Sequence, residues 1–352
     1  MRGADVREVW RMPRAGSLDR LVREAESLSE PGPGEARVAV KAIGLNFADV
    51  FACLGLYSAT PTGPFVPGLE CAGVVEAVGE ATAGSAAWAP GDRVIGLTRF
   101  GAYATALTLD SRYLLPIPAG WSFAEAAALP VQGLTAWYGL VELGRLSPDA
   151  VVLLHSAAGG VGLNGLGILA GYRARVVATV GRESKRDYLV ARHGLAPDQV
   201  IVRDRRGFSA QLDRALAAVG AEGFDLIFDA IAGPYFQPAY DRLRPEGRYV
   251  MYGAADFMPP GSRPNYLSLA ARYLARPRLD PLKMIAQNRS LLAFNLIWLW
   301  DRVERLAEGY AKLRQTVQVP PLIGRRFPFA EAPAALKYLQ GGESVGKVVL
   351  EV

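Results

Sequence analysis

The stretch HSAAGGVGLNG, His155–Gly165, has the residue types and spacing to hold a phosphate. Read as Ala157-x-Gly159-x-x-Gly162, it places one glycine where backbone must approach a pyrophosphate. It places another where a helix must pack closely on a strand, with the helix N-terminus supplying oriented N–H groups. An apolar run precedes it and a helical pattern follows, so the expected contacts are Ala158, Gly159, Gly160 and Val161. The next strand ends in RVVATVGRES. A site for an unphosphorylated ribose usually carries an acid at this point. Here stand Gly181 and Arg182, with Lys185 close behind and Arg203 after the following strand. The missing acid and the cations fit a 2′-phosphate, so the expected cofactor is NADPH, with NADH possible.

Metal chemistry has little to draw on. The chain has only Cys53, Cys71, His155 and His193, scattered too widely for a zinc cluster of Cys and His, and no metal is expected. Two cysteines also give no disulfide framework. A net charge of +5 favours anionic ligands but lacks the concentrated basic stripe of a nucleic-acid binder. With 352 residues, 51% apolar and 21% charged, the chain can build two soluble globular domains.

Two regimes position these residues. Up to about Arg112 short alternating runs such as ARVAVKAIGL, CAGVVEAV and DRVIGL are broken by Gly and Pro clusters, an all-β pattern. From Trp121 onward helices alternate with strands: VVLLHS, RVVATV, QVIV, FDLIFDA and RYVMYG. That alternation predicts a doubly wound parallel sheet. The final GKVVLEV has no sheet nearby and is expected to rejoin the first domain. The fold class is thus α/β, a Rossmann sheet plus a β-rich domain. Residues 1–124 with 297–352 are assigned to the β-rich substrate domain and 125–296 to the cofactor domain, with an insertion at about 256–290. Val151–Tyr172 is nearly uncharged but reads as strand, loop and helix, and LLAFNLIWLW is too short to span a bilayer. It is expected to be a buried strand or helix. The N-terminal MRGADVREVW mixes charges before any apolar run, so no secretory leader and a cytoplasmic location are expected.

A β-rich start, a late Rossmann domain and a returning C-terminal strand resemble the medium-chain dehydrogenase/reductase superfamily. AAGGVG at Ala157–Gly162, LPVQGLTAWYGL at Leu129–Leu140 and GLNFADVFACLGLY at Gly44–Tyr57 look like its zinc-independent quinone oxidoreductase branch. The FNLIWL run and the insertion before it look closest to VAT-1-like homologues. The resemblance implies a GroES-like first domain and a homodimer paired through an edge strand near Phe294–Ile297. Zinc members carry Gly-His-Glu where this chain has Gly68-Leu69-Glu70, and a cysteine near the position of Asn46. Without a Lewis acid, direct carbonyl reduction is hard. Hydride delivery to a conjugated C=C remains available, because ordinary hydrogen-bond donors can stabilise the enolate.

By that resemblance Asn46 lies at the nicotinamide and substrate carbonyl, Tyr57 presents its phenol to the pocket, and Asp49 supports the loop or orients Asn46. Thr135, Gly253, Phe294, Asn295 and Lys347 are implied further cofactor contacts. Cys53 stands where the family often has arginine and reads as a buried, inert thiol. His155 reads as a core residue satisfying a backbone partner, and Glu70 as structural. Expected substrates are an enone, enal or enoyl thioester such as enoyl-CoA, or a quinone. The insertion interleaves Arg263, Arg272, Arg276, Arg278, Lys283 and Arg289 with apolar side chains. It reads either as a solvated helix pair or as a basic wall of the substrate cleft. The alternative function is a catalytically weak nucleotide-binding adaptor with membrane or partner association.

Overall fold

The structure, a computed structural model, describes residues 6–82, 84 and 87–352. The strand Val151–Leu154 is buried along its whole length, as an interior strand covered on both faces must be. Six strands run parallel around it, in the order Val200–Val202, Arg175–Val180, Val151–Leu154, Phe224–Asp229, Leu243–Met251 and Ser290–Ala293. Counted along the chain this is 3-2-1-4-5-6, the Rossmann order, which reverses between Val151–Leu154 and Phe224–Asp229. A crevice therefore opens at the carboxyl ends of those two strands.

The other sheet has seven strands, and its centre is Glu35–Gly44, which pairs with Glu70–Val78, Ala106–Asp110 and Lys347–Glu351. The last of these is the returning C-terminal strand, and it carries Ile323–Pro328 on its far side. The chain thus combines a Rossmann sheet with a β-rich GroES-like one. Within the β-rich sheet the turn before Glu70 depends on Gly68, whose φ is +100° and whose added Cβ would lie 2.5 Å from the Tyr103 ring. Only glycine allows the turn that delivers Leu69 and Glu70 to the start of a strand.

Helices join the two sheets. Phe123–Ala128 starts with the expected capping box, Glu125 N–H donating to Ser122 Oγ and Ser122 N–H to the Glu125 carboxylate. Pro130–Trp137 follows, with proline in its first turn, where the missing N–H costs nothing. It packs on Gly160–Gly171 and on Val303–Thr316, so that Leu134 shares a core with Leu306, Tyr310 and Leu313. Each such side chain contributes roughly 1.5–3 kcal/mol on burial.

Two expectations are corrected. The edge strand is Ser290–Ala293, not Phe294–Ile297. Phe294 N–H makes a last bond to Met251 O, after which Leu296–Leu299 turns as a 3-10 helix. The Phe294 ring leaves the sheet to meet Tyr138 and Tyr252. His155 pairs with a side chain rather than with backbone: its ring Nδ1 lies 3.0 Å from Thr179 Oγ1. Burial lowers its pKa to about 4, which keeps it neutral. Among the described residues no helix is long and apolar enough to cross a membrane.

Candidate active site

The crevice between the sheets is a cleft of about 570 Å³. Its floor is the glycine turn, where Gly159 caps the helix Gly160–Gly171 without any side-chain hydrogen bond, leaving the first N–H groups to a ligand. A Cβ on Gly162 would lie 2.5 Å from both Ser156 O and Ala157 O, so glycine is what lets the helix sit against the turn. Gly159, Gly160 and Val161 line the cleft. Ala158 lies beneath them, buried, and its carbonyl accepts from Gly346 N–H at 2.9 Å, closing the C-terminal return onto the loop.

The four residues expected at a 2′-phosphate converge at the end of the strand Arg175–Val180. The Arg203 guanidinium lies against Gly181, where an added Cβ would be 3.3 Å from Nη2, and it donates to Thr179 Oγ1 at 2.9 Å. Lys185 Nζ donates to Gly342 O at 2.8 Å and Ser344 O at 2.7 Å, which leaves its third hydrogen uncommitted. Arg182 pairs with Glu343 at 3.5 Å. Partial burial, with Arg182 and Arg203 adding repulsion, lowers the Lys185 pKa to about 8, and burial lowers that of Arg203 as well. An anion entering this cluster relieves both effects. The glycine turn and the cation cluster therefore fit a phosphorylated dinucleotide.

At the opposite end stands the Asn46–Tyr57 segment. The helix Phe47–Cys53 starts at Asn46, whose backbone N–H donates to Asp49 Oδ2 at 2.8 Å, so Asp49 holds the loop. Burial lifts the Asp49 carboxyl to about 7. The Asn46 side chain joins a buried knot: Nδ2 donates to Glu70 Oε1 at 2.8 Å and to Gly44 O at 3.3 Å, while Oδ1 accepts from Lys347 Nζ at 2.9 Å. Lys347 and Glu70 form an ion pair at 2.5 Å with both side chains essentially inaccessible. Burial lowers the Lys347 pKa, opposed by the Glu70 charge. Tyr57 reaches across the cleft and donates to Asn295 Oδ1 at 2.8 Å. Burial raises its phenol to about 12, so it stays a proton donor at neutral pH.

Thr135, Gly253, Phe294 and Asn295 line the same cleft as Asn46 and Tyr57. Lys347 does not face it; its ammonium is spent on Asn46 and Glu70. None of residues 258–290 lines the cleft, so the insertion is not its basic wall. Its beginning packs instead on the β-rich domain, where Gln340 donates to Pro259 O and Gly261 O. Gln132 and Gly346 also line the cleft and escaped sequence reading. Gln132 stands three residues before Thr135, on the same helical face, a spacing that points to it. Cys53 and Cys71 are buried, and burial pushes both thiols well up.

The residues do not suit a zinc ion. Leu69, aliphatic, lines the cleft beside Asn46, and Glu70 is committed to Lys347, Asn46 and the Val131 N–H. Among the described residues no three His, Cys, Asp or Glu side chains come together as a metal site.

Residues 32–119 match the alcohol dehydrogenase GroES-like domain family, and residues 196–350 match the family described as zinc-binding dehydrogenase. The synaptic vesicle membrane protein VAT-1 homolog of Homo sapiens is 33% identical over 91% of this chain and 79% of its own length. The chain belongs to the VAT-1-like branch of the medium-chain dehydrogenase/reductase superfamily. The chain spans 64% of the corresponding Danio rerio homologue, at 32% identity over 90% of this chain. Among solved structures, mycobacterial Rv1454c complexed with NADPH superposes with a TM-score of 0.82 at 27% identity, covering 98% of this chain and 100% of that one. The CurK enoyl reductase superposes with 0.78 at 29% identity, covering 99% of each chain.

Proposed function

We propose that this protein is an NADPH-dependent reductase that saturates the conjugated C=C of an enone, enal or enoyl thioester, or reduces a quinone. The observation that carries this reading is the Tyr57 phenol, a neutral donor in a largely apolar cleft that the glycine turn also lines; the cation cluster adjoins that cleft through Ser344, which lines it and accepts from Lys185. NADPH, when bound, supplies the hydride. Gly159, Gly160 and Val161 would hold its diphosphate, and Arg182, Lys185 and Arg203 its 2′-phosphate. Thr135, Gly253, Phe294 and Asn295 would border the nicotinamide half. That a mycobacterial relative binds NADPH and that CurK is an enoyl reductase support the same reading.

The chain's own part is charge stabilisation and positioning. The Tyr57 hydrogen is given to Asn295 Oδ1. A substrate carbonyl oxygen entering there takes that hydrogen, and the bond strengthens as the oxygen gains charge. Asn46 keeps one hydrogen on the longer 3.3 Å bond to Gly44 O, the one it can most cheaply redirect. Leu69 makes the wall where a metal ligand would otherwise stand, so polarisation falls to these donors. The edge strand Ser290–Ala293, with Leu291 exposed, supports pairing into a homodimer.

NADPH consumption with a panel of quinones, enals, enones and enoyl thioesters tests the reading. Turnover of at least one class, slowed by Tyr57→Phe, is expected; NADPH binding without turnover on any overturns it. That outcome would favour an adaptor, a second reading supported by the insertion. Its helices Tyr266–Leu274 and Pro281–Gln287 expose Leu267, Leu274, Leu282 and Ile285 beside the insertion's cations. Such a face suits an anionic membrane or partner. Cosedimentation with anionic vesicles, lost on Leu267→Asp, checks it.

A further inference from the structure

Glu70 is fully buried and uses both carboxylate oxygens, on different parts of the molecule. Oε1 accepts from Lys347 Nζ at 2.5 Å and from Asn46 Nδ2 at 2.8 Å. Oε2 accepts from the backbone N–H of Val131 at 2.7 Å, in the first turn of the helix Pro130–Trp137. A carboxylate at a helix N-terminus satisfies an orphan N–H and meets the positive end of the helix dipole. One side chain of the β-rich sheet thus holds a helix of the cofactor domain and the Asn46 amide together. The Lys347 ammonium sets the direction of that amide, since it can only donate and must face Oδ1. The same helix carries Gln132 and Thr135 into the cleft.

We propose that Glu70 and Lys347 are positioning residues, a buried charged tie that locks Asn46 to the Gln132–Thr135 wall so that the nicotinamide half of the cofactor meets one preassembled surface. The inference rests on the reading of the cleft as an NADPH site. A buried pair is often neutral for stability, because desolvation offsets attraction, so its presence here points to orientation rather than to folding free energy.

Glu70→Gln keeps the volume but turns one oxygen into a donor facing donors. Glu70→Gln/Lys347→Met removes both charges and guards against loss of fold from one unpaired ion. Two measurements read the tie. Hydrogen exchange of the cofactor-free protein reports on it directly, and protection should fall in both the 44–50 and the 129–137 segments. Fluorescence titration should show NADPH affinity falling about tenfold, while 2′,5′-ADP, which lacks the nicotinamide half, binds as in the parent. Deprotection on one side only, or NADPH and 2′,5′-ADP weakening together, overturns the proposal. If the parent binds neither nucleotide, the cofactor reading falls and with it the positioning role proposed here, whatever the exchange result.

Discussion

Lys185 is the most exacting test of the cofactor assignment, because its environment predicts both a magnitude and a pH dependence. It already spends two hydrogens on Gly342 O and Ser344 O and keeps the third for a ligand. A charge-assisted hydrogen bond to phosphate is worth about 1.5–3 kcal/mol. Lys185→Met should therefore weaken NADPH by roughly ten- to a hundredfold and leave NADH nearly unchanged. The pH dependence follows from the pKa, lowered to about 8 by burial and by Arg182 and Arg203. Below that value the ammonium is present in the free protein; as pH rises through it the charge is lost. NADPH affinity should then fall between about pH 7 and about pH 9, by at most about tenfold per unit, with one proton taken up on binding at the alkaline end. Fluorescence titrations of both nucleotides across that range decide the matter. An equal loss for NADPH and NADH in the variant, or an NADPH affinity flat through pH 8, would refute the assignment of this cluster to a 2′-phosphate.

Tyr57→Phe should lower kcat by about 10²–10³ with NADPH affinity unchanged, since only the reacting oxygen loses a donor; an unaltered kcat removes the phenol from the chemistry. Gly162→Ala forces a Cβ to within 2.5 Å of two carbonyl oxygens. A drop in Tm reflecting about 1–3 kcal/mol of overpacking and loss of NADPH binding are expected, and a variant with normal Tm and affinity would contradict the close packing. Leu69→His should take up no zinc by elemental analysis, because Glu70 stays paired with Lys347; stoichiometric zinc would show that the neighbouring donors can be recruited. Cys53 and Cys71 should resist a thiol reagent in the native protein and react on unfolding, and rapid native labelling would contradict their burial.

Local pattern carried the architecture a long way. Val151–Leu154 announces an interior strand through uninterrupted apolar residues, and the glycines after it announce a phosphate turn, since both features are read within one βαβ unit. The grouping of Gly181, Arg182, Lys185 and Arg203 was legible for the same reason: successive parallel strands end side by side. The edge strand was misread by a few residues because Leu291–Trp300 is apolar except for Asn295, and periodicity cannot say where such a run leaves its sheet. The insertion left two readings open, and the structure shows the exposed helix pair. Interleaved cations and apolar residues define an amphipathic surface but not which neighbour it faces.

Lys347 shows what only register can supply. It follows a glycine at the start of a strand, and a lysine whose side chain turns inward there must meet a carboxylate or lose its charge. The sequence offers many carboxylates and no distance. Pairing decides among them: Val349 lies opposite Gly44, and Ile43 opposite Cys71, so Lys347 falls just beyond Gly44, beside Asn46, and Glu70 falls one residue before Cys71. Three residues remote in the chain are thereby forced into one buried knot. Glu70 beside Leu69 thus has a role that needs no metal. A carboxylate that pairs with a buried lysine and accepts from the first turn of the helix Pro130–Trp137 is held there by its own partners, and its neighbour is free to be leucine.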